Sequence, residues 1–380
     1  MARRVTKADT PATSAARLTI DLGALAANWR LLRDRAAPAE CAAVIKADAY
    51  GIGIEEAVPA LWRAGCRTFF VAHLDEAARA RAVASDAVVY VLNGVLPGST
   101  PRFVELGVRP ILGSFAELAD WASASDEAGE RLPAAIHVDT GMNRLGFSPE
   151  EAEALSSDPH LIEIGLTLLM SHLASAEDEA DPATACQTDA FARLLPLFPG
   201  VPTSLANSSG IFREDVEPRD LVRPGYALYG GNPVPGRPNP MQPVVRLEAP
   251  VVQVRDVPAG ARAGYNGRWT APAPRRLATL SIGYADGFLR SGSGTDAARA
   301  SNVNRAVVLL GGHPCPVVGS ISMDLTIVDA TDAPQVRRGD LATVVGDTLD
   351  LDTVGVRAGT IGYEILTSLG RRYARRYVGT

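Results

Sequence analysis

A chain of 380 residues, 47% apolar and 21% charged, has room for one large domain and a smaller one. A formal net charge of -6 argues against a nucleic-acid surface, and no run approaches the roughly 18 apolar residues that a membrane span requires. The four cysteines form no CxxC pair and the five histidines show no zinc spacing, which points to a reduced, cytoplasmic chain without a metal site.

Residues 1–15 are basic and rich in small residues, with no apolar stretch after them, so they read as a flexible tail and not a signal peptide. RLTIDLGALAANWRLLRD then gives a strand and a helix. From residue 42 to 230 there are eight short apolar runs: AAVIKA, TFFVAH, VVYVL, RPILG, AAIHVDTG, LTLLMSHL, PTSLANS and LVRPGYALYG. They are nearly continuous in apolar residues, as strands buried on both faces of a parallel sheet should be. Amphipathic segments such as EEAVPALWRAG, DEAARARAVA, FAELADWASAS and PATACQTDAFARLL alternate with them. This pattern predicts an α/β fold, a (β/α)8 TIM barrel over residues 16–240. The alternative, a doubly wound open sheet, lacks a GxGxxG after its first strand. GGNPVPGRPNPMQP reads as a linker. Residues 241–380 then form a mostly β domain, with strands in VVRLEAPVVQVRDV, RRLATLSIG, RAVVLLGG, LTIVDA and LATVVG. SGSGTDAARASN (291–302) is expected as a surface loop, and TIGYEILTSLGRRYARRY as a closing helix-like segment.

Lys7 and Lys46 are the only lysines among 37 basic residues, and Lys7 lies in the tail. A lysine can lose its proton and attack a carbonyl, whereas a guanidinium effectively cannot. Lys46 follows the apolar run AAVI at the end of the first barrel strand, where a solvated cation is not expected. Barrel active sites sit at the C-terminal ends of the strands. Tyr50 follows Lys46, Arg144 lies just past strand five, and His172 ends strand six. Asn207 and Ser208 follow strand seven, while Arg223, Gly225 and Tyr226 lie on strand eight. Loops after strands seven and eight of such barrels often bind phosphate. Ser208, Gly225 and Tyr226 would supply a hydroxyl and backbone N–H groups, with Tyr50 opposite. A lysine amine facing a phosphate cradle suits pyridoxal phosphate.

At these residues the chain resembles the alanine racemases, which join a TIM barrel to a β domain and use pyridoxal phosphate. VIKADAYG, DTGMNRLG, SHLAS, ANSSG and RPGYALYG are similar to the family's barrel motifs in the same order. AGYNGRW, SIGYADGFLR, GSISMD and IGYEILTSLGRR are similar to those of its β domain. The resemblance spans roughly residues 16–380 and implies interconversion of L- and D-alanine, supplying D-alanine for peptidoglycan or catabolising it. It implies that Lys46 carries the cofactor as a Schiff base and acts as one base. Tyr265 is then the opposite base, reaching the site from the partner subunit of a homodimer with composite sites. Two bases on opposite faces allow racemisation without long proton travel, and both must work near neutral pH. The resemblance gives His172 as a hydrogen-bond partner of Tyr265 and Arg223 as the neighbour of the pyridine nitrogen. Arg144 and the backbone of Met323 hold the substrate carboxylate, Tyr284 and Tyr363 narrow the entrance, and Asp324 comes from the partner chain. Taken singly, His172 fits a satisfied core histidine, Arg144 a surface arginine, and the tyrosines ordinary packing. The ordered agreement of the whole set argues for function.

One position departs from the family. Seven residues before Arg144, where many members carry a lysine that becomes carbamylated and props up the arginine, this chain has His137. An imidazole forms no carbamate, so Arg144 is expected to be held less rigidly, or by a bound anion. Three other readings compete: a racemase of serine or of broader specificity, a basic amino-acid decarboxylase of the same architecture, and a non-catalytic pyridoxal phosphate-binding protein. The broad-specificity relatives are usually exported with a signal sequence, the decarboxylases lack the AGYNGRW arrangement, and the binding proteins have the barrel alone.

Overall fold

Each of the eight apolar runs carries a strand in the computed structural model, which describes residues 15–300 and 305–379. Ala43–Val44, Thr68–Val71, Val88–Val91, Arg109–Leu112, Pro133–His137, Gly165–Met170 and Thr203–Ser204 form one parallel sheet in chain order. Closure comes from Leu221–Val222, which pairs in parallel with Glu40–Cys41 at the start of the first barrel strand. The N–H groups of Ala42 and Val44 donate to the carbonyls of Val222 and Pro224, at 3.0 and 2.9 Å. On the other side, the N–H of Arg223 donates to Ala206 O at 3.0 Å and that of Asp220 to Thr203 O at 3.1 Å. With both edges of the last strand bonded, the sheet is a barrel and the open-sheet alternative falls away. Thr68–Val71 are all buried, as the continuous apolar run requires.

Helices Ile54–Ala64, Leu74–Val83, Thr100–Leu106, Phe115–Ala128, Pro149–Leu155 and Ala183–Leu194 alternate with these strands. Helix Leu22–Ala36 packs beside Ile54–Ala64. Its Asn28 is buried with every polar atom used: Nδ2 donates to Leu228 O and Gln242 O, and Oδ1 accepts from Gln242 N. A buried amide this fully paired ties the helix to the turn after strand eight and to the linker. No described helix is long and apolar enough to cross a membrane.

The first compact unit is Leu22–Val244. The second comprises Val245–Val378 together with the strand Arg17–Asp21. Its spine is the 13-residue strand Val245–Val257, paired antiparallel with Arg17–Asp21, Leu341–Val345 and Arg275–Leu280. Val307–Leu310 and His313–Pro316 form a hairpin beside Leu341–Val345, and Thr326–Asp329 pairs with Arg275–Leu280.

Three details differ from the sequence reading. The strand Arg17–Asp21, assigned there to the barrel domain, buries Leu18 and Ile20 in the second unit instead. The closing segment is helical only over Gly362–Thr367; beyond it the N–H of Gly370 donates to Asp286 O, and ARRYV becomes the strand Ala374–Val378. Its half-buried side chains and parallel partner Arg17–Asp21 select extended backbone over another helical turn. Within 291–302, a short helix Asp296–Ala300 occupies part of the expected loop. Residues 301–302, like most of the 1–15 tail, lie outside the described residues.

Candidate active site

The backbone after Lys46 makes an unusual excursion. Ala47, Asp48, Ala49 and Tyr50 have φ of 53°, 56°, 52° and 52°, a left-handed turn built from residues with side chains. Left-handed helical geometry costs roughly 1–2 kcal/mol per L-residue, so such a turn persists only where its surroundings hold it. Tyr50 leaves the turn with its ring stacked on Tyr229, centroids 4.5 Å apart. Tyr229 is fully buried and donates its hydroxyl to Val44 O at 2.9 Å. The Tyr50 phenol ends against the loop after strand eight: a Cβ at Gly225 would collide with its oxygen, so any other residue there forces the phenol or the loop to shift. In the same loop the N–H groups of Gly225 and Ala227 both converge on Ser208 Oγ, at 3.0 and 3.2 Å. Tyr226 is buried and opens a short 3-10 turn. Ser208, Gly225 and Tyr50 therefore meet in one small polar cradle. Asn207 serves the cradle's base; its Oδ1 accepts from Gly210 N and its Nδ2 donates to Leu173 O.

Arg223 is only 4% exposed. Its guanidinium donates to the hydroxyl of Ser204 and the carbonyl of Ser171, both neutral, and lies over the Phe70 ring. Burial brings its pKa down to about 9, which still leaves it a cation at neutral pH. Ser204 in turn donates to Leu221 O, and Ser171 shares a hydrogen bond with Thr140. Gln187 is buried and closes this layer; it donates to His172 O and Thr140 Oγ1 and accepts from Ala174 N.

Arg144 stands in a loop that folds back on strand five. Asp139 Oδ1 accepts from the N–H groups of Gly141 and Met142, and Phe147 N donates to His137 O. The reversal needs Gly146 at φ 111°, where a Cβ would sit 2.8 Å from Asp139 N. Arg144 is exposed, and among the described residues no carboxylate pairs with it.

Electrostatics show that these groups converge. The Lys46 amine is half-buried and its pKa is lowered, first by burial and then by the Arg144 guanidinium, with Glu76 opposing. Burial holds His172 well below the usual imidazole range, reinforced by Arg223, Arg144, Lys46 and His137. His137 is brought down to about 4 by burial and then by Arg223, while Asp139 opposes and Arg144 reinforces. The barrel mouth thus gathers three basic side chains, Lys46, Arg144 and Arg223, and two imidazoles held below their usual range. Among the described residues none of these three basic groups is ion-paired. The excess of basic groups suits an anionic ligand.

The second unit groups another set. Tyr265 stands at the tip of the hairpin Arg262–Ala263/Trp269–Thr270 and is 69% exposed. Arg262 steadies that tip by donating to Gly267 O and Asn266 O. Tyr284 and Met323 lie on two loops zipped together: Tyr284 N donates to Ser322 O, and Ala285 N to Met323 O. Arg372 bridges Asp286 and Asp324, at 3.1 and 2.8 Å, while Asp286 Oδ2 accepts from Gly283 N. Tyr284, Met323 and Asp324 are therefore held as one surface. Tyr363 lies in the first turn of the helix Gly362–Thr367 and is 40% exposed.

Both parts match known proteins. Residues 20–233 match the family described as alanine racemase, N-terminal domain, and residues 244–377 match alanine racemase, C-terminal domain. This chain belongs to the alanine racemase family. It is 62% identical over 365 residues to an alanine racemase of Methylobacterium sp. (strain 4-46), covering 96% of this chain and 98% of that one. An alanine racemase of Methylobacterium nodulans is likewise 62% identical over 365 residues, with 96% of each chain covered. A crystal structure of alanine racemase from Bartonella henselae, with covalently bound pyridoxal phosphate, superposes with a TM-score of 0.90 at 41% identity. That match covers 96% of this chain and all of the other.

Within this alanine racemase fold, sequence reasoning did not single out Ser204, Ser171, Gln187 or Tyr229. Ser204 and Ser171 lie in quoted strand runs, and a hydroxyl in an otherwise apolar barrel strand is the signal that could have marked them. The left-handed turn had no such signal, since KADAY contains no glycine.

Proposed function

We propose that this enzyme interconverts L- and D-alanine with pyridoxal phosphate held on Lys46, using Lys46 and the partner subunit's Tyr265 as opposing bases. The observation that supports the reading is the gathering of Lys46, Arg144 and Arg223, none of them ion-paired, beside a cradle of N–H and O–H groups. Those residues fit the cofactor. Ser208 and the Gly225 and Ala227 N–H groups suit the phosphate, with Tyr50 and Tyr226 alongside and Asn207 beneath. Arg223 suits the ring nitrogen. When bound, the cofactor supplies an electron sink that acidifies the α-hydrogen of the amino acid.

The chain's own groups do the rest. Arg223 is fixed by neutral partners and remains a guanidinium; beside the ring nitrogen it would disfavour protonation there and so limit side reactions that need the full electron sink. Arg144 and the Met323 N–H receive the substrate carboxylate. Lys46, its pKa already lowered, takes or returns a proton at Cα on one face. Tyr265 does the same on the opposite face, with His172 as its hydrogen-bond partner. One proton leaves as another arrives, so only the configuration changes. Tyr284, Tyr363 and Asp324 narrow the entrance, which favours a small side chain. The exposure of Tyr265 supports a role across an interface, and a C2 homodimer gives two composite sites. Four unpaired cysteines fit a reducing cytoplasm, where the product serves peptidoglycan synthesis or its substrate is catabolised.

The test is loss of optical activity from pure L-alanine, run beside a panel of other L-amino acids. Alanine is expected to be the best substrate and Lys46→Ala inactive; turnover retained in that variant would overturn the reading. Mixing Lys46→Ala with Tyr265→Phe protein is expected to restore part of the activity through one intact site. No restoration after subunit exchange would place both bases in one chain.

A further inference from the structure

The left-handed turn between Lys46 and Tyr50 is held by side chains from elsewhere in the barrel. Glu76, in the first turn of helix Leu74–Val83, accepts from Ala72 N and His73 N through Oε2, at 2.8 and 3.3 Å. Those bonds alone describe a glutamate capping its own helix. Its other oxygen, however, accepts from Asp48 N in the middle of the turn at 3.3 Å. One helical turn later, Arg79 reaches the same segment. Its guanidinium donates to Asp48 and, in a two-pronged arrangement, to Glu55 of helix Ile54–Ala64. The Asp48 carboxylate also accepts from Ile54 N at 3.2 Å.

An isolated surface ion pair contributes little. Arg79 differs because it ties a carboxylate inside the strained segment, Asp48, to one on the helix that follows, Glu55, while Glu76 fixes that segment's amide. At one end of the segment is Lys46 and at the other is Tyr50, whose phenol has only the glycine-sized space against residue 225. A change in the turn moves both groups relative to each other.

We infer that Glu76 and Arg79 are positioning residues that hold the Lys46–Tyr50 turn in its left-handed form and so set the lysine amine against the phosphate cradle. The inference rests on the reading given under Proposed function for what Lys46 does; its structural half stands independently.

The experiment uses full-length Arg79→Leu, with Arg79→Gln as the gentler variant, and Ala47→Gly placed in each background. Glycine adopts left-handed backbone without the Cβ penalty, so Ala47→Gly lowers the demand on the clamp. In cofactor-free protein, the amides of Asp48 and Ile54 should exchange hydrogen faster in the Arg79 variants, and slower again once Ala47→Gly is added. With pyridoxal phosphate bound, the visible circular dichroism of the cofactor should weaken. kcat should fall between about ten- and a hundredfold, as misplacement of a reacting group does, with a smaller change in KM. Ala47→Gly should return part of both signals. Unchanged exchange, dichroism and kcat in the Arg79 variants would overturn the inference, as would losses that Ala47→Gly leaves in place. If the unaltered enzyme racemised no amino acid, the functional reading would fail, while the exchange rates would still decide the structural claim.

Discussion

The Tyr50 hydroxyl occupies the space where residue 225 would carry a Cβ. Gly225→Ala must therefore displace the phenol or the loop proposed to cradle the phosphate. Overpacking of this kind costs about 1–3 kcal/mol, so affinity for pyridoxal phosphate should fall about ten- to a hundredfold. Titrating cofactor-free protein by absorbance measures it. Adding Tyr50→Phe removes the closest atom and should recover part of the loss; no recovery would mean that the collision lies elsewhere.

Lys46 is the only lysine among the described residues, which makes its titration directly observable. Carbon-13 reductive methylation should yield a Lys46 signal distinct from those of Lys7 and the amino terminus. In cofactor-free enzyme that signal should titrate below the ordinary lysine value of roughly 10.4. Arg144→Leu removes a repelling cation and should raise it. A Lys46 pKa unmoved by Arg144→Leu would separate the two groups.

His137 and His172 both have native pKa values below the free imidazole value of 6.5. Above that pH neither the native nor the unfolded chain protonates them, and they leave stability unchanged. Between 6.5 and about 4 the unfolded chain binds protons that native His137 refuses, so stability falls as pH drops. The shift at His137 corresponds to about 3 kcal/mol across that window. Denaturant unfolding at several pH values should show a shallower acid loss for His137→Gln than for the unaltered protein. Equal slopes would refute a buried neutral imidazole.

Arg372→Ala cuts the bridge between Asp286 and Asp324. The Arg372 guanidinium and Asp324 are solvent-exposed although Asp286 is buried, so the bridge adds little to global stability and the loop bearing Met323 should loosen without unfolding. KM for alanine should rise by up to about fivefold with little change in kcat. A fall in kcat alone would assign Arg372 to another step.

The barrel was readable because parallel strands buried on both faces leave apolar runs such as TFFV, and these need only local contrast with amphipathic helices to stand out. Lys46 was readable for a chemical reason, the scarcity of lysine in a chain that uses arginine elsewhere. Arg17–Asp21 was not placed correctly because its partners, Val245–Val257 and Ala374–Val378, are more than 200 residues away and no local pattern encodes them. ARRYV resembled the tail of a helix because its strand character comes from a neighbour, not from its own periodicity. In the site, Arg223 and Arg144 could be named from motifs. Ser204, Ser171 and Arg79 could not, since what they touch is decided by strands and helices meeting in space.

The parallel pairing of Arg17–Asp21 with Ala374–Val378 also bears on synthesis. A ribosome makes the first strand early, yet its two neighbours emerge only after the whole of Leu22–Val244. The barrel can close while Leu18 and Ile20 still wait in water. Emergence of Ala374–Val378 then completes the sheet around a strand made more than 350 residues earlier. Nascent chains arrested before residue 374 should carry a protease-resistant barrel and a cleavable leading segment, and a nonsense codon near the end should cost the second unit far more than the few residues it removes.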